Sequence, residues 1–181
     1  LKEAYVAVIL GGEVGGACSE AANGVVAANS ISSFIFNSAY CICADRGAVI
    51  AEKFGKTAEG HAPELYGAPL NAYVSTGIRS DHESTNKEEA LGKLRAGLRV
   101  LIREGCAAKD LDAVIKIITE NHVDTRHCAL VSDDIDMLHI YEKGHLDYKI
   151  RRCIEAGIDP VTAIQMATLN PAESLKVDNK Y

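Results

Sequence analysis

The most regular part of the chain runs from about residue 51 onward, where short strand-like segments alternate with stretches of 3.6-residue hydrophobic period, the signature of consecutive parallel βα units. Segments 57–61, 77–82, 98–102 and 128–131 are the four strand candidates. The last two are almost wholly apolar, as expected where both faces of a parallel sheet are covered. Between the first two, Pro69 opens a helix, because its missing N–H would go unpaired in a first turn anyway. Leu70, Tyr73 and Val74 make its buried stripe and Gly77 stops it. Thr85-Asn86-Lys87-Glu88 reads as a capping box ahead of Leu91, Leu94 and Leu98. Leu111, Val114, Ile115 and Ile118 stand at i, i+3, i+4 and i+7 and define one buried helix face. Leu146, Ile150, Cys153 and Ile154 mark a further helix that ends at Gly157. Asp159-Pro160 caps and opens the next, and Asn170-Pro171 closes it.

The N-terminal part reads differently. From Val14 to Ala44 the sole charged residue is Glu20, and the segment is rich in Ala, Ser, Gly and Asn without a clear helical or strand period. Its longest apolar run, around 33–36, falls far short of the ~20 residues that span a bilayer. It reads as a long insertion, an irregular segment or a stretch out of its natural frame, and no site is assigned to it. The chain divides accordingly into an irregular segment at 1–50 and four βα units at 51–181. Leu1 stands where an initiator Met is expected and no leader pattern follows, so the sequence reads as a piece of something longer.

Composition narrows the class. At 181 residues, 48% hydrophobic and 24% charged, the chain suits one packed domain and excludes wholesale disorder. A formal net charge of −6 would repel a phosphate backbone, so nucleic acid is not an expected partner, and neither is a membrane. Cys18, Cys41, Cys43, Cys106, Cys128 and Cys153 are scattered, with no C-x-x-C, which fits reduced thiols in a cytoplasmic protein better than a disulfide scaffold or a cysteine metal site. Cys153, on an apolar helix face, reads as a small core residue. The Gly11-Gly12 and Gly15-Gly16 pairs lack the Lys-Ser/Thr and helix that a phosphate loop requires.

The chemistry gathers at the strand ends. In parallel α/β sheets the rim at the carboxyl ends of the strands is concave and lined by loops, and functional groups collect there. The strand candidates end in His61, in Asp81-His82-Glu83, in Arg103-Glu104 and in Asp133-Asp134. Taken singly, each polar residue reads as a loop hydrogen-bonder. Together, two imidazoles and a carboxylate at one rim suit a borderline divalent cation such as Zn, Mn or Fe. Such a cation brings the pKa of bound water toward ~7, which points to hydrolysis, with Asp133 placed to take the water's proton and pass it to a leaving group. Glu83 is either a proton donor to substrate or the counter-ion of Arg103. His145, between Gly144 and Asp147 at the start of a helix, is a substrate-contact candidate. His122, His127 and His139 lie in segments that read as solvated connections.

These words form an ordered series: Gly60-His61-Ala62-Pro63, Leu70-Asn71-Ala72-Tyr73, Gly77-Ile78-Arg79-Ser80-Asp81-His82-Glu83, Ile102-Arg103-Glu104-Gly105, Ser132-Asp133-Asp134, Gly144-His145-Leu146-Asp147 and Ala167-Thr168-Leu169-Asn170-Pro171-Ala172. In order and spacing the series resembles the bacterial and archaeal adenine deaminases of the amidohydrolase superfamily, over about two thirds of the chain. The resemblance implies a metal-dependent (β/α)8 barrel, of which this chain is the C-terminal half, covering roughly strands four or five to eight. It implies hydrolysis of adenine to hypoxanthine and ammonia at a binuclear centre served by manganese or iron, with zinc an alternative, and a homo-oligomeric full-length protein. By the same likeness His61, His82 and Asp133 are metal ligands at the ends of strands five, six and eight. Glu13, in a strand at 4–13, stands for the bridging glutamate of strand four, and Arg103, Glu104, His145 and Asp147 face the substrate. The His-x-His pair that the family places on its first strand is absent from these residues. The chain alone is therefore expected to be inactive. The rival readings are another amidohydrolase acting on a cyclic amide or a different aminopurine, and a non-catalytic half-barrel.

Overall fold

A computed structural model of the protein describes residues 48, 49 and 51–179. The strand expected at 4–13, and Glu13 with it, lie outside the described residues. Among the described residues the fold is mixed α/β, built on a small parallel sheet of three strands in the order β1-β2-β3: β1 Ser80–Asp81, β2 Arg99–Arg103 and β3 Cys128–Val131. Ser80 pairs with Arg99, Val100 with Cys128 and Arg103 with Val131. Because the strands are parallel, Asp81, Arg103 and Val131 all finish at the same edge of the sheet, and the loops that follow share one rim.

The expected strand at 57–61 is reduced to a single parallel bridge between Ala58 and Ile78, and the one at 77–82 is ordered as strand only at Ser80–Asp81. Neither segment carries the β-branched or aromatic run that stabilises a long ladder. The bridge still matters, because it lays segment 58–62 beside β1 and delivers His61 to the rim. On β2, Val100 and Ile102 are buried while Arg99, Leu101 and Arg103 are half-buried, so one face is covered and the other is partly open, unlike the expected double coverage.

The helices cover the sheet in chain order: α1 Gly67–Ser75, α2 Lys87–Arg95, α3 Leu111–Val114, α4 Lys116–Thr119, α5 Met137–Lys143, α6 Leu146–Glu155, α7 Pro160–Ala167 and α8 Leu169–Ser174. The larger core lies between β2, β3 and helices α3, α4, α6 and α7, around Ile102, Leu111, Ile117, Leu130 and Met166. A second cluster, with Leu70, Tyr73, Ile78 and Leu98, packs beneath α1. Residues 111–118, expected to form one helix, form the two short helices α3 and α4, with Leu111, Val114, Ile115 and Ile117 buried.

Three local expectations shift. The cap of α2 is Asn86 and not Thr85: Asn86 Oδ1 accepts from Glu89 N at 2.9 Å, and Glu89 Oε2 reaches back to accept from Thr85 N, just before the cap, at 3.2 Å, a variant of the capping box one residue along. On α6, Cys153 is buried as expected, but Ile154 is exposed and Lys149 takes the inward place. Burial holds the Lys149 ammonium below the usual lysine range, and its Nζ donates to the His145 carbonyl at 3.4 Å. Asn170-Pro171 does not close α7 but lies in the first turn of α8, where Asn170 Nδ2 donates to the Cys128 carbonyl at 2.8 Å and ties that turn to β3. Asp159 caps α7 as expected, accepting from Thr162 N at 3.0 Å.

Candidate metal centre

His61 follows the bridged segment, His82 and Glu83 follow β1, and the three side chains meet at the rim. His61 Nδ1 lies 3.1 Å from Glu83 Oε1, and His82 Nε2 lies 3.2 Å from the same oxygen. The two imidazoles face each other edge-on, with centroids 5.4 Å apart. One ligand atom from each residue falls within 4.8 Å of the others, so two nitrogens and one oxygen converge on a single small space. That donor set suits a borderline divalent cation, and among the described residues it is the one such His/Cys/carboxylate group.

Arg103, at the end of β2, closes the rim electrostatically. Its Nη1 donates to Glu83 Oε1 at 2.6 Å and to Asp133 Oδ2 at 3.1 Å, and its Nε donates to Asp110 Oδ2 at 2.7 Å. Burial alone would raise the Glu83 carboxyl, but hydrogen bonds to His61 and His82 and the charges of His61 and Arg103 outweigh it and hold the carboxyl well below the usual range. Burial likewise opposes the Arg103 charge, and the bonds to Asp110, Glu83 and Asp133 more than offset it. Glu83 is thus an anion at neutral pH and is the counter-ion of Arg103.

Asp133 sits just past β3 with φ of 55°, in the left-handed region that a non-glycine residue adopts at some cost. Expected as a ligand beside the two histidines, it does not belong to the converging His61–His82–Glu83 group and is linked to it through Arg103 Nη1, which donates to both Glu83 and Asp133. Asp134 turns instead toward the neighbouring loop, its carboxylate accepting from Ala107 N at 2.6 Å and Ala108 N at 3.3 Å. A Cβ at Gly105 would collide with the Asp134 side chain, so this close approach requires the glycine.

The remaining sequence candidates are more dispersed. His145 is exposed, and its Nε2 lies 2.8 Å from Ser132 Oγ, next to Asp133 in the chain. Asp147 is an exposed carboxylate that accepts from His145 N at 2.8 Å and from Arg151 Nη1 at 2.7 Å. Glu104 accepts from Leu111 N at 3.3 Å, and burial raises its carboxyl above the usual range. His122 and His127 are exposed, whereas His139 lies within α5, half-buried, with its ring edge-on to Tyr148 at 6.0 Å, and so departs from the expected connecting segment.

The backbone around His61 is held tightly. His61 N donates to Tyr73 Oη at 2.9 Å, and Tyr73 is buried. A Cβ on Gly60 would stand 2.5 Å from Tyr73 Oη, Ser80 O and Ile78 Cγ2. Gly60→Ala is therefore expected to cost about 1–3 kcal/mol by overpacking and to push His61 off the rim. Thermal denaturation read beside cation titration checks both effects.

Sequence reading missed the polar layer beneath the histidines. Asp81, Glu89 and Lys93 are all buried, and Lys93 Nζ lies 2.7 Å from Asp81 Oδ2 and 2.8 Å from Glu89 Oε1. The available signal was Asp81 inside a strand candidate together with the Glu89–Lys93 i,i+4 spacing, which on its own reads as an exposed helix pair.

A mixed α/β fold with a candidate divalent-cation site at the carboxyl ends of parallel strands defines the class. No protein-family model matches the chain. Curated relatives do. Over 130 residues the chain is 48% identical to an adenine deaminase of Staphylothermus marinus, covering 72% of this chain and 22% of the relative. It is 46% identical over 125 residues to an adenine deaminase of Ligilactobacillus salivarius, covering 69% and 21%. It is 51% identical over 123 residues to one of Methanothrix thermoacetophila, covering 68% and 21%. The likeness read from the sequence words therefore holds: about seven tenths of this chain is similar to adenine deaminases, at 46–51% identity in these three, and it spans about a fifth of the length of the curated relatives it matches.

Proposed function

We propose that this chain carries part of the active site of a metal-dependent hydrolase that converts adenine to hypoxanthine and ammonia. In this reading residues 51–181 are four βα units from the C-terminal half of a (β/α)8 barrel of the amidohydrolase type, preceded by a separate segment at 1–50. The observation that carries the reading is the convergence of His61 Nδ1 and His82 Nε2 on one Glu83 oxygen, at strand ends whose words resemble those of the adenine deaminases.

His61 and His82 would hold the cation, with Glu83 as the nearest oxygen donor, and Asp133 and, by the resemblance, Glu13 as further carboxylates. Manganese or iron is the proposed metal, with zinc as the alternative. A divalent cation in that position supplies Lewis acidity and the means of activating water at neutral pH. The protein's own residues do the rest. Asp133 accepts a proton from the attacking water and returns it to the departing amino group, so that the C–N bond breaks with loss of ammonia. Arg103, bonded to both Glu83 and Asp133, holds the two carboxylates in place relative to each other. The anionic state of Glu83 supports a role in holding charge at the site and argues against one as proton donor.

Glu104 and His145 are the proposed substrate contacts beside Arg103, and Asp147 serves by fixing the His145 backbone. No helix among the described residues is long and apolar enough to cross a membrane, and Cys106, Cys128 and Cys153 are free thiols. In this proposal the protein is a cytoplasmic, purine-metabolising enzyme that acts on a small molecule without nucleic acid or membrane, in a homo-oligomer, as the likeness to adenine deaminases implies. The isolated chain is inactive in this proposal, because it spans only about a fifth of the matching relatives.

The test is a chimera in which the matching residues of this chain replace their counterparts in the Staphylothermus marinus adenine deaminase. The chimera is expected to release ammonia from adenine in the presence of manganese or iron, and its His61→Ala version to release none. A folded chimera that ignores adenine but hydrolyses another aminopurine or a cyclic amide would replace the substrate assignment. One inert toward all of them would favour the non-catalytic reading.

A further inference from the structure

Beneath the two histidines lies a buried ionic layer with an unusual connectivity. Asp81 Oδ1 accepts from Ala62 N at 2.7 Å, the amide next to His61, and Asp81 Oδ2 accepts from Glu83 N at 3.1 Å, the amide next to His82. Glu89 repeats the arrangement two residues further along each loop: its Oε1 accepts from Glu64 N at 2.8 Å and its Oε2 from Thr85 N at 3.2 Å. Each carboxylate therefore grips one backbone amide from the His61 loop and one from the His82 loop. A single ammonium joins them, since Lys93 Nζ donates to Asp81 Oδ2 at 2.7 Å, to Glu89 Oε1 at 2.8 Å and to Ser84 Oγ at 3.1 Å. Asp81 and Lys93 are fully buried and Glu89 is 1% exposed, so water does not compete for these bonds.

We propose that Asp81, Glu89 and Lys93 form a positioning clamp that sets the separation of the His61 and His82 loops and thereby the affinity of the rim for a divalent cation. The inference rests on the metal reading of that rim. None of the three residues need touch the cation. Their contribution is to hold two separate loops at one spacing before binding, which lowers the ordering cost of assembling the site. The three polar side chains persist in a dry layer because every strong acceptor has a donor: Asp81 faces Ala62 N, Glu83 N, Ser84 Oγ and Lys93 Nζ, and Glu89 faces Glu64 N, Thr85 N and Lys93 Nζ.

Isosteric variants separate the clamp from general stability, because either leaves Lys93 paired with the other carboxylate. In Asp81→Asn the amide oxygen stays on the three-donor side and the NH2 turns toward Ala62 N–H, releasing the His61 loop. In Glu89→Gln the NH2 turns toward Thr85 N–H and releases the His82 loop. The full chain is titrated with Mn2+ alone, in competition with a chelator, and amide hydrogen exchange is read at 62, 64, 83 and 85. Both variants are expected to keep wild-type helical circular dichroism, to bind Mn2+ about 10–100-fold more weakly, the usual effect of losing a supporting partner, and to lose protection at Ala62 and Thr85 respectively. Lys87→Ala, on the same helix but in an exposed pair with Glu120, is the control and changes neither readout. Affinity and protection equal to wild type in a folded variant would overturn the clamp. If one variant does not fold, the other decides. If the wild-type chain takes up no cation, the metal reading fails, and the clamp is then judged by amide protection alone: protection unchanged in the variants overturns it as well.

Discussion

Lys93→Met is expected to cost about 3–5 kcal/mol of folding stability, the effect of removing one partner from a buried ion pair. The two carboxylates that remain, Asp81 and Glu89, lose the ammonium that lies 2.7 and 2.8 Å from them and have no water to replace it. Their other donors are backbone amides and a serine hydroxyl, which carry no charge. The exposed pairs Lys87–Glu120 and Arg126–Glu173 give the contrast: their ions are already hydrated, and removing Lys87 or Arg126 leaves the denaturation midpoint in place. Chemical denaturation of the variants against wild type separates the two kinds of pair. A Lys93→Met protein as stable as wild type would mean that the layer is wetter than its burial indicates.

The second large effect is on ligand binding. His82→Ala is expected to leave the chain folded but without a stoichiometric divalent cation, and His61→Ala to do the same. Each removes one of two nitrogen donors from a group whose remaining members, one imidazole and a carboxylate already held by Arg103 at 2.6 Å, do not make a site. The loss should exceed the about 10–100-fold expected of a supporting residue, which is how a ligand is told from a clamp residue. Metal analysis after equilibrium dialysis reads it. Uptake undiminished in both variants would place the cation elsewhere.

How far these residues could be read from sequence follows from what each signal encodes. Apolar runs encode burial, so β3 at Cys128–Val131 falls where the pattern puts it and β2 lies one residue from it. Segments 57–61 and 77–82 hold their places by one bridge and a two-residue strand, and no hydrophobic run announces either. His61 and His82 were nevertheless legible as a pair, because each stands at the end of a strand candidate and parallel strands share a rim.

The capping box of α2 was ambiguous by one residue, since Thr85/Glu88 and Asn86/Glu89 both satisfy the spacing. The tertiary environment decides it: Glu89 is buried against Lys93, and Glu88 faces solvent. The inward turn of Lys149 in place of Ile154 is of the same kind, a long-range packing outcome that a helical period does not contain. The clamp was hidden for the converse reason. Glu89 and Lys93 at i,i+4 look like a solvated pair, and only the approach of the His61 loop, more than twenty residues earlier in the chain, buries them.

The central claim is that two imidazoles and a carboxylate of this chain share one cation, and X-ray absorption of the Zn2+-loaded full chain addresses it most directly. The account predicts a first shell of nitrogen and oxygen scatterers with the outer-shell pattern of two imidazoles. Sulfur in the first shell, or a spectrum without imidazole features, would contradict it.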